Sequence, residues 1–533
     1  MKKHSYPSLN RRDLIKVGLF AGASLSLPLS RVVAGQSALT NRMPASKLPK
    51  PFTTPFAIPP VAVPVRSDAT TDYYRMSMRA TPIEVIPGFK TMFFAYEGSV
   101  PGPTIKVNQG RQAVVRHINA LPKVHPTLGY EPWTSVHLHG SASLPQFDGY
   151  ASDITRPGQF KDYHYPNFQP ARTLWYHDHG IHHTAENAYH GLMAQYQMSD
   201  AVEQALPIPH GRYDVPLIMS DALFNKDGSL LFTLEDESGL WGDVILVNGR
   251  PWPVMQVERR KYRFRILGAS ISRSWKLSLD SGEPLTVIAT DGGLMPRPQA
   301  VSIYRAASSE RYEVIIDFSK YPIGRRVVLQ NTSPKNNTDY ADTNKIMAFD
   351  VVADPTDLSN NSIPDVLSTN NPVMDLQPAD AVRTRHFRFK RDGGEWKING
   401  TSWHDVEASN FQFTLANPQR GDVEIWELEN SSGGWFHPVH IHLTDFKVLD
   451  RNGRAPFAHE LGPKDVVYVG EGEKVRVIMK WEGRGKYMMH CHNLVHEDHD
   501  MMAQFEVADP EGPGDDPMGT HAVPATDEAS HPL

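Results

Sequence analysis

The sequence predicts an all-β protein built as three tandem Greek-key sandwiches, and three observations carry that expectation. Segments such as 112–118, 261–267 and 474–480 alternate polar and apolar residues at a period of two, as strands with one buried face do. Helical periodicity is scarce throughout. Gly110 to Asn119 and Gly421 to Asn430 each run from a glycine through an alternating segment to an asparagine, and Val247-Asn248-Gly249 is echoed by Ile398-Asn399-Gly400. Repeated β units of about 150 residues suit stacked sandwiches.

Taken in order, residues 1–34 read as an export signal. Asn10-Arg11-Arg12-Asp13-Leu14-Ile15-Lys16 resembles a twin-arginine signal, an apolar stretch runs from Val17 to Leu29, and small residues follow near Val32-Val33-Ala34. The run is too short to span a bilayer, and no other segment is long and apolar enough. The expected location is periplasmic or secreted, after export in the folded state by the twin-arginine machinery. A first domain then spans 35–205 and begins with a proline-rich arm between about 40 and 65, which favours extended chain. A second spans 206–370 and a third 371–510. The Asn-, Ser-, Pro- and Asp-rich stretch from Asp354 to Asp380 is the best linker, and residues 511–533, polar and acidic, are expected to form a disordered tail.

The 533 residues have room for three cores, and a formal charge of −6 without a long basic run gives no reason to expect nucleic acid or an anionic membrane as partner. Small molecules remain. The one cysteine, Cys491, cannot form an internal disulfide, so its role lies elsewhere. The 24 histidines are also uneven: none falls between His210 and His386, while dense groups occupy 137–190 and 437–499. Such clustering points to metal sites.

Four segments carry that chemistry: His137-Leu138-His139-Gly140, Trp175-Tyr176-His177-Asp178-His179, His437-Pro438-Val439-His440-Ile441-His442, and His490-Cys491-His492 followed by His496 and Met501. Each contains a His-x-His pair, and residues two apart on a strand project to one face. The four pairs therefore offer eight imidazoles, enough for three metal ions with positions left open for oxygen. Cys491 points away from its flanking histidines, and His437 and His496 lie just outside the pairs. Two imidazoles, a thiolate and a long axial methionine define a blue-copper electron-transfer site, with Met501 as the axial candidate, favoured over Met502 by its ten-residue offset from Cys491. His182, His183, His190, His459 and His499 are read as ordinary.

These segments, in this order, resemble the copper-binding signatures of the multicopper oxidase family from about residue 50 to 510. Within it, Ser135 to Ser141, Ala171 to His179 and His490 to Met501 are most similar to bilirubin oxidases and bacterial spore-coat-type laccases. The resemblance implies cupredoxin-like sandwiches holding four coppers. It makes His437, Cys491 and His496 the type 1 ligands with Met501 axial, His137 and His440 the type 2 ligands, and His139, His177, His179, His442, His490 and His492 the type 3 ligands. The implied activity is one-electron oxidation of a small donor (a phenol, an aromatic amine or a tetrapyrrole such as bilirubin) coupled to four-electron reduction of dioxygen to water.

That reaction consumes protons, and Asp148 and Glu497 sit where the resembling enzymes keep carboxylic acids; relaying protons and orienting ligand histidines are both open to them. Trp435 resembles an aromatic lining the donor edge, and equally suits a core position. Asn493 resembles a residue beside the type 1 copper, and equally suits a turn. The 18 methionines are spread thinly, which weakens a cuprous or other metal-ion oxidase, and a non-enzymatic cupredoxin-like envelope protein would be expected to lack several of the ligands found here. No dinucleotide-binding glycine fingerprint occurs.

Overall fold

The computed structural model describes residues 40–233, 237–333 and 340–533; the twin-arginine motif and the cleavage region lie outside them. Six sheets form three pairs along the chain. The first pair has a six-stranded sheet centred on Thr71–Ile83 and Gln112–Asn119, and a four-stranded sheet in the order Ile105–Asn108, Met193–Ser199, Arg172–Asp178, Val136–His139. The middle pair has seven and six strands. The last has a five-stranded sheet around Val423–Asn430 and a four-stranded sheet in the order Val466–Val469, His437–Ile441, Gly485–Cys491, Met502–Val507. Among the described residues helices are short, none exceeding the six residues of Thr184–Tyr189 and Trp403–Ala408. No helix among the described residues is long and apolar enough to cross a membrane.

The internal repeat has a structural basis. Asn119 closes one strand and donates through Nδ2 to the carbonyls of Pro132 and Thr155, both at 2.9 Å. Asn430 closes its counterpart and donates to the carbonyls of Trp435 and Val469, at 2.7 and 3.2 Å. Each asparagine thus ties down the loop that leads into a histidine-bearing strand. The Asn-Gly echoes are tight turns: Asn248 and Gly249 have φ of 50° and 72°, Asn399 and Gly400 of 52° and 80°. Both central residues of a type I′ hairpin need such positive φ, which glycine and asparagine tolerate.

The arm and the tail are both placed by strand pairing, and for the tail this corrects the expectation of disorder. The arm expected to lead into the first domain supplies Thr54–Pro55 as a strand paired in parallel with Pro253–Glu258 in the middle domain. The tail expected to be disordered returns to the first sandwich, where Val523–Pro524 pairs with Gln159–Tyr165 and Glu528 forms a two-pronged ion pair with Arg75 at 2.8 and 3.0 Å. Composition registers missing apolar surface, and both segments are held instead by main-chain pairing to a sheet edge, which polar and proline-containing chain can supply.

Candidate metal centre

The histidine-bearing strands pair within each domain. Val136–His139 runs antiparallel to Arg172–Asp178 with His137 opposite His177, and His437–Ile441 runs antiparallel to Gly485–Cys491 with His440 opposite His490. Alternation puts both members of each His-x-His pair on one sheet face, and the faces of the first and last domains meet. His137 Nε2 lies 3.4 Å from His440 Nε2, and His490 Nε2 lies 3.1 Å from the Nε2 atoms of His179 and His442. The eight imidazoles fall into overlapping groups: His137, His139 and His440; His139, His177 and His492; His179, His442 and His490. All eight are buried.

The outward nitrogens are anchored. His137 Nδ1 donates to the Asp148 carbonyl, His440 Nδ1 to the Asp465 carbonyl (2.9 Å), His177 Nδ1 to the Asp178 carbonyl (2.8 Å) and His442 Nδ1 to Asp148 Oδ2 (2.7 Å). Glu497 stands 2.9 Å from His490 Nδ1 and 3.4 Å from His179 Nδ1. A neutral imidazole has one N–H, so an anchored outer nitrogen leaves a lone pair pointing inward. Burial disfavours the charged form of seven of these rings: it holds His177 to about 3 and His179 to about 4, with neighbouring imidazoles adding to the effect, and His137, His139, His440, His442 and His492 well below the usual range. Converging lone pairs 3.1 to 3.4 Å apart repel each other without a cation between them, and that separation suits metal–nitrogen bonds of about 2 Å. His177 Nε2 and both nitrogens of His492 are buried without hydrogen-bond partners, as open metal-ligand positions are.

A second, mononuclear site adjoins the first through the backbone. Cys491 Sγ lies 3.2 Å from His437 Nδ1 and 3.6 Å from His496 Nδ1, and those nitrogens are 3.3 Å apart. Burial pushes the Cys491 thiol well up, only partly offset by the Asn493 amide donating to sulfur at 3.4 Å, so a bound cation is what would make it a thiolate here. His496 Nε2 donates to the Ser238 carbonyl at 3.0 Å, and His437 Nε2 meets Ser432 Oγ at 2.7 Å. Met501 is fully buried in the same apolar cluster as Cys491, and its carbonyl accepts the Cys491 amide at 3.0 Å. Met502 belongs to a different cluster with Trp403 and Met488, which separates the two axial candidates.

Asn493 is more than a turn residue: its Nδ2 donates to the Ser238 carbonyl at 3.1 Å, and Oδ1 accepts from Ser272 Oγ at 2.9 Å, which holds the loop beside His496. Trp435 is half-buried and meets His496 edge-on at 5.9 Å. Its neighbour Trp396, fully buried, stacks directly on His496 with centroids 3.8 Å apart and donates Nε1–H to the Glu237 carbonyl at 2.9 Å. The sequence reading missed Trp396, because a tryptophan in an alternating strand looks like core. It also missed Asp465 and Arg311, which meet beside His139 and carry no local motif. Among the described residues the remaining histidines stay outside both clusters; His190 and His499, for example, bond to the carbonyls of Glu186 (2.7 Å) and Val495 (2.6 Å).

Family models described as multicopper oxidase match residues 77–199 and 374–511, the segments that carry these ligands. Over 85% of its length the chain is 44% identical to a bilirubin oxidase of Albifimbria verrucaria, covering 81% of that protein. The chain belongs to the multicopper oxidase family. It is also 33% identical to a laccase of Bacillus subtilis, over 86% of this chain and 99% of that one. The structure of a multi-copper oxidase from Pediococcus acidilactici superposes with a TM-score of 0.77 at 29% identity, covering 88% of this chain and 94% of the other. The sandwiches are accordingly cupredoxin-like, and the protein is a copper-dependent oxidoreductase that uses dioxygen.

Proposed function

We propose that the protein holds four coppers and couples one-electron oxidation of phenols, aromatic amines or tetrapyrroles to reduction of dioxygen to water. In this reading His437, Cys491, His496 and Met501 hold a type 1 copper, His137 and His440 a type 2 copper, and His139, His177 and His492 together with His179, His442 and His490 the type 3 pair. The observation that carries it is the continuity of His490-Cys491-His492: the sulfur belongs to one site and its two chain neighbours to the other. When bound, copper supplies single-electron acceptance at the sulfur-ligated site and dioxygen reduction at the trinuclear one.

The chain's own groups divide the remaining work. Trp435, at the half-buried edge of His496, is where a planar donor would come close to a type 1 ligand. Asp148 and Glu497 handle protons in different states. Burial pushes the Asp148 carboxyl well up, and its Oδ1 is buried without a hydrogen-bond partner. Burial also opposes charge on Glu497, but the His490 and His179 imidazoles outweigh it and hold Glu497 at about 2. Burial thus favours the protonated form of the acid beside His442, while the acid beside His490 is held low, a division suited to delivery and orientation. Export by the twin-arginine route to the periplasm or beyond completes the proposal, since a folded chain can take up metal before translocation.

Similarity to a bilirubin oxidase and to laccases supports organic donors. The test is oxygen uptake by copper-loaded protein with bilirubin, a phenol, an aromatic diamine and cuprous ion as donors. Faster turnover of the organic donors is expected, and preferential turnover of cuprous ion would overturn the substrate class.

A further inference from the structure

We propose that Asp465 decides which nitrogen of His139 faces the metal cluster, and that Arg311 of the middle domain locks Asp465 in place to do so; the assignment rests on the copper-holding reading above. His137, His177, His440 and His442 anchor Nδ1 outward, which leaves Nε2 to point inward. His139 is reversed. Its Nε2 lies 3.1 Å from Asp465 Oδ1, while its Nδ1 is buried with no hydrogen-bond partner. The N–H therefore sits on Nε2, and the lone pair of Nδ1 is left for the group formed with His177 and His492.

The same residue treats His440 the opposite way. The main-chain carbonyl of Asp465 accepts His440 Nδ1–H at 2.9 Å, leaving Nε2 beside His137 Nε2. The His139 and His440 rings are stacked, with centroids 3.7 Å apart and planes at 16°. One residue, with its side chain and its backbone, thereby sets opposite tautomers on two stacked rings.

Arg311 makes that grip rigid. Its guanidinium takes Asp465 in a fork, Nη1 to Oδ1 at 2.7 Å and Nη2 to Oδ2, and both residues are buried. The remaining N–H groups go to the carbonyls of Thr173 (3.0 Å), Ser309 (3.0 Å) and Asp291 (3.3 Å). Thr173 lies on the strand that carries His177, Ser309 and Asp291 in the middle domain, and Asp465 in the last. A domain that supplies none of the clustered histidines thus supplies the cation that orients one of them. Gly140 shows how closely the fork is built against the site: a Cβ there would lie 2.6 Å from Arg311 Nη2 and from Asp465 Oδ2.

The test is Asp465→Leu, which removes the acceptor that holds the proton on His139 Nε2 and frees it to move to Nδ1. The expected result is about 10- to 100-fold weaker copper binding at the type 3 pair, seen as loss of its EPR-silent coupling, with the blue absorption of the Cys491 site retained. The double variant Arg311→Met, Asp465→Leu leaves no lone buried charge and covers the case in which the single variant does not fold; it should show the same EPR change. Full copper affinity with unchanged EPR in the folded variant would overturn the assignment. So would loss of blue copper in equal measure, since Asp465 would then be serving the domain interface alone. A parent protein that bound copper without blue colour would sink the proposed function instead, and the parent-to-variant ratio of copper affinity would still decide the role of Asp465.

Discussion

Replacing Lys464 by Met tests how the middle and last domains are joined behind the metal centre. Lys464 is fully buried, with Nζ 2.9 Å from Asp291 Oδ2, 2.9 Å from Glu310 Oε1 and 3.1 Å from the Tyr312 hydroxyl. Without the ammonium, Asp291 keeps the amides of Arg311 (2.7 Å), Asp465 and Val466 (both 3.2 Å). Glu310 keeps only the Ala307 amide (2.6 Å) and the Tyr312 hydroxyl (3.1 Å). The uncompensated charge therefore falls on Glu310, and stranding one buried partner costs about 3–5 kcal/mol. For a chain of 533 residues that is a fall in Tm on the order of 3–5 °C. Burial already raises the Glu310 carboxyl and Lys464 is the largest cause opposing it, so the variant's folded state holds a proton that its unfolded state releases. A carboxyl with a raised folded pKa loses stability as pH climbs above its unfolded value of about 4.3, by up to about 1.4 kcal/mol per pH unit. Thermal unfolding of parent and Lys464→Met from pH 5 to 8 should show the gap widening with pH, and adding Glu310→Gln should close at least half of it. A gap below about 0.5 kcal/mol, or one independent of pH, would refute the reasoning.

Four further outcomes follow from the same geometry. Cys491→Ser should abolish the blue absorption while the trinuclear coppers, measured by EPR, stay bound; retained blue colour would contradict the sulfur's role. Gly140→Ala should destabilise the protein by about 2–5 kcal/mol in thermal unfolding, because φ there is 89° and the new methyl meets Arg311, Asp465 and Leu174 within 2.7 Å. Trp396→Phe strands the Glu237 carbonyl and should cost about 1–3 kcal/mol in stability while shifting the type 1 reduction potential, read by redox titration. Chelated, metal-free protein should lose stability as pH falls below about 6.5, because its buried imidazoles have folded pKa values depressed below that unfolded value, whereas copper-loaded protein should be far less sensitive; a flat profile for the metal-free form in calorimetry would count against it.

The side chains that cluster in the two candidate metal sites were legible in the sequence because the geometry that gathers them depends on local spacing. A His-x-His pair needs only strand alternation to present both rings, and Cys491 between two such histidines is a pattern with few other uses. Met501 could be ranked above Met502 only by its ten-residue offset from Cys491; the two fall in different apolar clusters for a reason, the strand alternation that begins there, which is visible only once the strand start at Met502 is known. Trp396, Ser238, Arg311 and Asp465 were not legible. Each reaches the site from a distant part of the chain, and nothing in its immediate neighbours distinguishes it from a core tryptophan, a loop serine or a surface ion pair. The acidic tail misled, and the partner of the proline-rich arm went unread, for a related reason. Apolar content predicts burial, but Thr54–Pro55 and Val523–Pro524 are placed by main-chain pairing to a neighbouring strand, which composition does not record.

The central claim is that ten imidazoles and one sulfur gather copper into one mononuclear and one trinuclear site. Anomalous diffraction at the copper edge from loaded crystals tests it most directly. The account predicts one peak among His437, Cys491 and His496, and three among the other eight histidines. An empty Cys491 site, or a single peak in the eight-histidine cluster, would contradict it.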